Sequence, residues 1–386
     1  MRALSRDISA FLIANSAPVA GDSVTLSAKP SNDPTAGASL AHNAGDTIGQ
    51  YIFSDSAGKY VAPPYEKLLL NTLNMLNYLE TGDLQGAKIE ARRLTVMQKY
   101  VGDTLGEKDN AILGLGGFLA GFAFEKSDDT DEALRYYDEA AQFSGFVGLR
   151  GPVKQLLARG TYTSPRLRAL ADGAGDGDGG ASDEGGEIVF VVGYGRVPHK
   201  VPNRIPIGLA LTLVANDIHP GDRQAANKLA AQGLVTWINF PSLAPGQGKW
   251  STPSVQLDGG YVQLQEAVDV DSQVRQEWKK IEGKVILSAI TRLIARYAVG
   301  EGIQQASGKG SVVGFIGSLA AQATLTALDT PDTRSWETLP ARIAVARVRV
   351  PVGKHNVMMD SRGVYRRQEI DVKKGGWTVV SLMALR

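Results

Sequence analysis

The segment Tyr65–Leu94, YEKLLLNTLNMLNYLETGDLQGAKIEARRL, decides the fold of the first half of the chain. Leucines recur at steps of three and four residues in its first part, which is the period of one helix face. Gly82-Asp83 interrupts the pattern, and Leu84–Leu94 restarts it with alanines among the leucines. Gly82 allows a turn at little steric cost, and small side chains let two helices lie close together. The segment therefore predicts two antiparallel helices joined by a short turn.

A second helical pair is predicted at Ala111–Phe143, and it repeats the spacing of the first pair. An aromatic residue near the end of the first helix is followed by three regularly spaced positions on the second helix. These positions are Tyr78, Ala87, Ala91 and Leu94 in the first pair and Phe124, Ala133, Tyr137 and Ala140 in the second pair. Recurrence at a fixed spacing indicates an internal repeat, and helical repeats stack to bury their apolar faces.

This spacing resembles the tetratricopeptide repeat. Gly121 falls where that family places the glycine at the helix crossing, although the first copy has Met75 at the equivalent position. The resemblance implies stacked hairpins that bind other proteins. It also implies that the aromatic residue of each copy is buried against the alanine nine positions later. An unrelated helical bundle that follows the same general packing rules is the alternative.

The composition is that of an ordinary globular protein that is long enough for two or three domains. Its 386 residues are 43% hydrophobic and 21% charged, and the formal net charge is +1. A nearly neutral chain has no overall field that would favour nucleic acid or an anionic membrane as a partner. The sequence contains no cysteine, which excludes disulfides, thiol nucleophiles and cysteine-ligated zinc or iron–sulfur sites.

The chain divides into four regions by composition. Residues 1–63 are predicted to be an irregular segment, and residues 64–171 to be the tetratricopeptide-like helical domain. Residues 172–187 are rich in glycine and acidic residues and cannot bury apolar surface, so they are predicted to be a disordered linker. Residues 188–386 are predicted to be a mixed domain that ends in a small antiparallel β-sandwich from about residue 341. The predicted class is therefore α+β, with a separate core on each side of the linker.

A short motif introduces the C-terminal strands. From Arg342 the sequence alternates between apolar and polar residues in four runs separated by turn residues, which is typical of antiparallel strands. Asp332, Arg334, Trp336 and Pro340 precede the first of these runs. We predict that Trp336 is a structural anchor, because an indole can bury a large apolar area where helices meet strands. A role as a recognition residue is the alternative.

Patterns that would indicate catalysis or metal binding are incomplete. There is no G-x-S-x-G nucleophile elbow, and the glycine-lysine run at 302–309 lacks the spacing and the Ser or Thr of a phosphate-binding loop. The four histidines are scattered and have no second metal ligand at helical spacing. We therefore predict no enzyme activity, no cofactor and no metal site. A peptidoglycan-active enzyme with paired carboxylates in a cleft is an alternative.

Charged residues on the second helix of the first hairpin are the candidate partner-binding site. Glu90, Arg92 and Arg93 are close together in sequence, and the planar guanidinium group of arginine suits contacts with the carboxylates of an acidic partner. A solvated helix face with local ion pairs is the alternative, and each such pair contributes only about 0.2–0.5 kcal/mol.

Several motifs, in their order along the chain, resemble an uncharacterised family of bacterial outer-membrane lipoproteins with tetratricopeptide-like helices. The motifs are Tyr65-Glu66-Lys67, LNYLETGDLQGAKIEARR at 76–93, EIVFVVGYGRVPHK at 187–200 and DTRSWETLPARIAVARVRVPVG at 332–353. The resemblance implies a non-catalytic scaffold in the periplasm or on the periplasmic face of the outer membrane. Its expected partners are other proteins of the cell envelope.

Two segments bear on membrane association. Members of that family begin with a signal and a lipidated cysteine, whereas Met1–Ala20 has only the short apolar run AFLIA and no cysteine. Residues 310–328 carry no charge and have nearly the length of a membrane-spanning helix, which needs about 20 apolar residues. Their polar side chains favour packing against Val285–Ala298, part of the helix predicted at Val274–Ala298, instead. The resemblance implies peripheral association with the outer membrane, and a membrane- or pore-associated component is the alternative.

Overall fold

The structure is a computed structural model, and it describes residues 60–105, 110–174, 185–231, 237–245, 251–306 and 330–385. Within these ranges the chain is α+β, with helices in its first half and most strands in its second half, as predicted. The predicted irregular segment is described only from residue 60. The uncharged segment 310–328, and residues 175–184 of the predicted linker, lie outside the described residues.

Six α-helices form the first layer. They are α1 (Pro64–Glu80), α2 (Leu84–Leu105), α3 (Ile112–Glu125), α4 (Thr130–Phe143), α5 (Arg150–Leu157) and α6 (Pro165–Asp172). The predicted turn after α1 is present, with Gly82 at φ +76°. The Asp83 carboxylate accepts a hydrogen bond from the Gly86 N–H at 2.9 Å, which caps the start of α2. The hairpin of α1 and α2 packs on α3, which pairs with α4, so the two predicted hairpins are in contact.

The second hairpin has the close helix crossing that its sequence predicts. A Cβ atom on Gly121 would lie 2.3 Å from the ring of Tyr137, so only glycine lets this ring lie against α3. Phe124 and Ala133 are both fully buried. These observations agree with stacked hairpins, while membership of the tetratricopeptide class stays a prediction.

The first hairpin differs from the prediction for Tyr78. Its side chain is 37% exposed and is therefore not buried against Ala87, which is fully buried. A Cβ atom on Gly86 would lie 2.3 Å from the Tyr78 ring. The ring therefore packs over the first turn of α2, because the missing side chain of Gly86 leaves room for it there.

Ten strands and three further helices make up the rest of the described chain. The strands are β1 (Gly186–Tyr194), β2 (Lys200–Pro206), β3 (Trp237–Leu243), β4 (Ser254–Leu257), β5 (Gly260–Val262), β6 (Gln265–Asp269), β7 (Arg342–Val350), β8 (Gly353–Ser361), β9 (Val364–Val372) and β10 (Trp377–Ala384). The helices are α7 (Ile207–Leu213), α8 (Pro220–Ala231) and α9 (Val270–Ala306). The first four-stranded sheet has the order β10-β1-β7-β6 and the second has the order β5-β4-β8-β9, while β2 and β3 form a ribbon.

Strand β1 lies in the middle of the first sheet and separates two cores. Val189 and Val191 face the helices, and they join a core that also contains Trp336 and the buried sides of α1 to α4. Phe190 and Val192 face the opposite way, and they form a second core with apolar residues of β4, β8 and β9. The prediction of separate cores for the helical and the mixed domain is wrong, because the helices and the first sheet share one core.

The β-sandwich is larger and less regular than predicted. Its two sheets include β1 and β4 to β6, which precede residue 341. In addition, β1 runs parallel to β10 and antiparallel to β7, so the first sheet is mixed rather than antiparallel. The parallel register places Glu187 beside Trp377. Such a pairing between residues far apart in sequence has no local signal, which is why the alternating pattern alone indicated an antiparallel arrangement.

A third, smaller core lies beside the ribbon. It contains apolar residues of β2, β3, α7, α8 and the middle of α9, including Ile286 and Ile290. The helix begins at Val270, four residues earlier than predicted.

We expect the substitution Gly117→Ala to destabilise the protein, although alanine is the better helix former. Gly117 lies where α3 comes close to α4, and a Cβ atom there would be 2.8 Å from the Tyr136 carbonyl oxygen and 2.9 Å from the Ala140 nitrogen. Because backbone atoms cannot rotate away, we expect a loss of roughly 1–3 kcal/mol in unfolding free energy, measured by urea denaturation.

The matched control for this prediction is Gly283→Ala in α9. The nearest atom outside its own helical turn is an Asp217 carboxylate oxygen 3.7 Å from the new Cβ, which is an ordinary contact. This variant is expected to be more stable than the wild type by roughly 0.5–1 kcal/mol. Equal effects of the two substitutions would contradict the packing explanation.

Candidate protein-binding site

The outer face of α2 carries an exposed row of apolar and basic side chains. Ile89, Arg93, Val96 and Tyr100 follow at steps of four, three and four residues, so they lie along one stripe of the helix. The exposed fractions are 48% for Ile89, 71% for Val96 and 45% for Tyr100. Several large apolar side chains exposed along one helix face are typical of a contact surface. We call these four residues the α2 outer row.

Most charges beside the α2 outer row are basic, and the exposed Asp103 is an acidic residue beyond its C-terminal end. The cationic groups of Arg92 and Lys88 lie 5.6 and 5.9 Å from the centre of the Phe124 ring, at the crossing of α2 with the second hairpin. Arg92 and Lys99 are exposed to solvent. Positive charge beside exposed apolar surface fits a partner segment that is itself apolar on one side and acidic along its border.

Glu90 is not part of this exposed surface, and its predicted role as a partner-binding residue is wrong. It is buried, and its carboxylate accepts hydrogen bonds from the Asn71 side-chain amide at 2.8 Å and from the Arg93 guanidinium at 2.7 Å. A buried carboxylate needs such donors to offset the loss of hydration. Glu90 therefore joins α1 to α2, and Arg92 and Arg93 are the members of the predicted cluster that face solvent.

The fold brings together two of the motifs that carry the family resemblance. Glu66 at the start of α1 is fully buried, and its carboxylate accepts hydrogen bonds from the Trp336 backbone N–H at 2.9 Å and the Tyr60 hydroxyl at 2.6 Å. The Trp336 indole N–H donates to the Thr338 hydroxyl at 2.9 Å. Trp336 is therefore buried between the helices and the first sheet, and its role as an anchor stays a prediction.

The other residues of the Trp336 motif also make local contacts. The Arg334 guanidinium donates to both carboxylate oxygens of Asp332 at 2.7 and 2.8 Å and lies 5.5 Å from the centre of the Tyr60 ring. Pro340 packs against β1, where a Cβ atom on Gly193 would lie 3.0 Å from the proline ring. These contacts indicate that the motif holds the chain against α1 and β1 as it enters β7.

A buried ionic centre that was not predicted from the sequence joins the helices to the first sheet. The guanidinium of Arg347 on β7 donates to Glu125 at the end of α3 at 2.6 Å and to Glu187 on β1 at 2.7 Å. It also donates to the Tyr137 hydroxyl at 3.0 Å, and the Lys126 ammonium lies within 3.0 Å of both carboxylates. Only 2% of the Arg347 side chain is exposed.

This centre holds its carboxylates in the charged form. Burial by itself would raise the pKa of Glu125 and of Glu187, but the charges of Arg347 and Lys126 hold both pKa values below the usual range. General-acid catalysis needs a carboxyl group that keeps its proton near neutral pH. The paired carboxylates of this centre therefore do not provide the acid that the enzyme alternative requires.

Comparisons with protein families, with characterised proteins and with solved structures found no match for this chain. Among the described residues, none of the helices has the combined length and hydropathy needed to cross a lipid bilayer. Within the same ranges, no three His, Asp or Glu side chains come together as ligands for a metal ion.

We expect His355 to make the stability of the second sheet depend on pH. Its ring nitrogens lie 2.7 Å from an Asp258 carboxylate oxygen and 2.9 Å from the Pro351 carbonyl oxygen. The hydrogen bond with Asp258, and then that with Pro351, raises the pKa of His355 above its usual 6.5. Because protonated histidine is the better partner, its stabilisation is fully present below pH 6.5 and is lost as the pH rises through the folded-state pKa.

The measurement is urea unfolding of the wild type and of His355→Gln at several pH values from below 6.5 upward. The stability of the wild type is expected to decrease as the pH rises through this range, and the variant is expected to lack this decrease. His219→Gln, at an exposed histidine, is the control and is expected to behave like the wild type. A wild-type stability that rises through this window, relative to the variant, would contradict the assignment.

Proposed function

We propose that the protein is a non-catalytic scaffold that binds another protein through the α2 outer row, as part of a bacterial cell-envelope assembly. The observation that supports this proposal is the exposure of Ile89, Val96 and Tyr100 along one helical stripe that also contains Arg93. A helix surface exposed to water normally presents polar side chains, so three large exposed apolar side chains on one stripe are best explained by a partner.

The proposed partner segment is an amphipathic helix with acidic residues on its border. Anchors at steps of three and four residues match the ridges of a second helix laid along α2. The Arg93 guanidinium lies in the row, and Arg92 and Lys99 lie beside it, so acidic side chains on the partner would complement the charge of this face. Val96, with 71% of its side chain exposed, lies near the middle of the row and is the expected anchor.

The cell-envelope assignment is supported by the family resemblance alone. In this proposal the protein acts in the periplasm or at the periplasmic face of the outer membrane, with peripheral membrane association. Subcellular fractionation of cells that express the protein from its natural gene tests this placement. Recovery with the envelope fraction is expected, and recovery in the cytosolic fraction alone would contradict the placement.

The binding proposal is tested by site-specific photocrosslinking followed by affinity measurement. A photoreactive residue at position 96 is expected to give a discrete crosslink to one envelope protein, whereas the same residue at Arg367, on the exposed side of β9, is expected to give none. The crosslinked protein is then identified by mass spectrometry and purified. Equal crosslinking at the two positions would contradict the proposal.

Affinity measurements on the purified pair of proteins show which side chains contribute to binding. Because an exposed-row residue at the centre of a contact can contribute more than 1 kcal/mol, Val96→Asp and Arg93→Glu are each expected to weaken binding by about tenfold. Arg367→Glu is the matched charge-reversal control and is expected to bind like the wild type. Unchanged affinity of both α2 variants would contradict binding through this face.

A further inference from the structure

The first sheet has a free edge at β10. This strand pairs with β1 on one side, and the described chain places no strand on its other side. Successive residues of a strand direct their backbone N–H and C=O groups to alternate sides. The carbonyl oxygen of Ala384 accepts from the N–H of Gly195, beyond the end of β1, so Ala384 faces β1. Ser381 and Met383 therefore direct their backbone groups to the free edge.

Side chains occupy the free edge at Ser381. The Ser381 N–H donates to the Glu80 carboxylate at 2.7 Å, and the Ser381 carbonyl oxygen accepts from the Arg366 guanidinium at 2.6 Å. Arg366 and Glu80 also pair with each other at 3.2 Å. These two side chains take the places that the backbone of a neighbouring strand would occupy. They cover one residue of the edge, and no described residue pairs with the backbone of the next outward residue, Met383.

A cavity of about 440 Å³ lies along this part of the edge. Its walls come from α1, β9 and β10, and its apolar lining includes Leu73, Leu76, Val364 and Leu382. The side chain of Asn77 also lines the cavity, and within the described residues its amide makes no hydrogen bond. The backbone N–H and C=O of Met383 likewise have no partner among the described residues.

We propose that this cavity is a second binding site, which takes a short extended segment of a partner polypeptide as an added strand beside β10. An extended main chain offers a donor and an acceptor at the spacing of an edge strand, so it can bond to Met383 as β1 bonds to the other side of β10. An apolar side chain of the segment fills the space between Leu73, Val364 and Leu382. The Asn77 amide bonds to the backbone of the segment on the helix side.

Amide hydrogen exchange of the free protein tests the open edge directly. The N–H of Leu382 bonds to β1, and the N–H of Ser381 bonds to Glu80. The Met383 N–H is expected to exchange at least about tenfold faster than either of them. A Met383 N–H that exchanges as slowly as that of Leu382 would show that the edge is already paired, and this result would overturn the proposal.

Peptide selection then tests the ligand chemistry. The probe is a displayed library of random heptapeptides, selected on the full chain and counter-selected on Asn77→Trp, which fills the cavity from the half-exposed face of α1. Synthetic copies of the selected peptides are expected to bind the wild type at least about tenfold more tightly than the Trp variant. Val364→Phe fills the same cavity from β9 and serves if Asn77→Trp does not fold.

The added-strand geometry has its own signature. Each peptide is made in two methylated versions, one with methyl groups on its odd-numbered backbone nitrogens and one with methyl groups on its even-numbered ones. One version is expected to bind at least about tenfold more weakly than the unmodified peptide and the other less than twofold more weakly, because only every second N–H faces β10. Val96→Asp, at an exposed position of the α2 outer row, is expected to leave peptide binding unchanged, so failure of this site and failure of the α2 proposal are distinguishable. The proposal would be overturned if the selected peptides bound both cavity variants like the wild type, or if neither methylated version bound more weakly than the unmodified peptide.

Discussion

Replacement of Arg347 by alanine is expected to lower the free energy of unfolding by about 3–5 kcal/mol. The substitution leaves Glu125 and Glu187 buried, with Lys126 as a cation shared by both and with the partly exposed Arg349 beside Glu187 at 3.5 Å. Removal of one partner of a buried ion pair is costly because the other charge stays out of water without compensation. Urea denaturation of the wild type and the variant measures the difference.

The matched control is Arg349→Ala on the same strand. The Arg349 side chain is partly exposed and contacts Glu187 at 3.5 Å, so its loss is expected to cost less than about 1 kcal/mol. The Arg347→Lys variant keeps the charge but has no fork to bridge two carboxylates, and it is expected to lie between the other two. A cost for Arg347→Ala no greater than that for Arg349→Ala would contradict the importance of the buried centre.

The effect of Arg347→Ala is expected to shrink as the pH falls. In the wild type the pKa values of Glu125 and Glu187 are held below their usual value of 4.5, so the stability they contribute is lost at pH values below 4.5. In the variant, burial without Arg347 raises these pKa values, so protonation relieves the buried charge. The difference in unfolding free energy between the wild type and Arg347→Ala is therefore expected to be smaller at mildly acidic pH than at neutral pH. A difference that grows toward acid would contradict this account.

Replacement of Trp336 by alanine is expected to cost about 3–5 kcal/mol in unfolding free energy. The indole is buried in the core that the helices share with the first sheet, so its removal leaves a cavity between two layers. Trp336→Phe keeps most of the apolar area and is expected to cost less than half as much. Thr338→Val removes only the partner of the indole N–H and is expected to cost about 1 kcal/mol.

The same variant separates an anchor from a recognition residue. If Trp336 is an anchor, the alanine variant loses stability, and at a temperature where it is folded it binds the partner of the α2 outer row like the wild type. A near-zero change in unfolding free energy combined with loss of partner binding would make Trp336 a recognition residue instead.

The helical layer was largely predictable because its signals are local. The leucine period, the break at Gly82 and the alanines of α2 together gave α1, α2 and their turn. Contacts between helices were less predictable: the ring of Tyr78 packs over Gly86, one residue from the predicted Ala87. The burial of Glu90 also escaped prediction, since its partner Asn71 lies on another helix.

The buried ionic centre has one local signal in the sequence. In the strand RIAVARVRV, Ile343, Val345 and Arg347 are two positions apart, so Arg347 lies on the same face of the strand as two core residues. An arginine on the apolar face of a strand needs buried carboxylates as partners. Its partners could not be named, because Glu125 and Glu187 are brought to it only by the tertiary fold.

The position of β1 constrains how the protein folds during synthesis. The helices leave the ribosome first, but the sheet that covers their apolar side needs β7 and β10, and β10 is the last strand of the described chain. The parallel pairing of residue 187 therefore cannot form until residue 377 has been synthesised. Pairings between such distant residues form slowly and leave apolar surface uncovered in the meantime. We expect newly made chains to depend on chaperones until β10 has been translated.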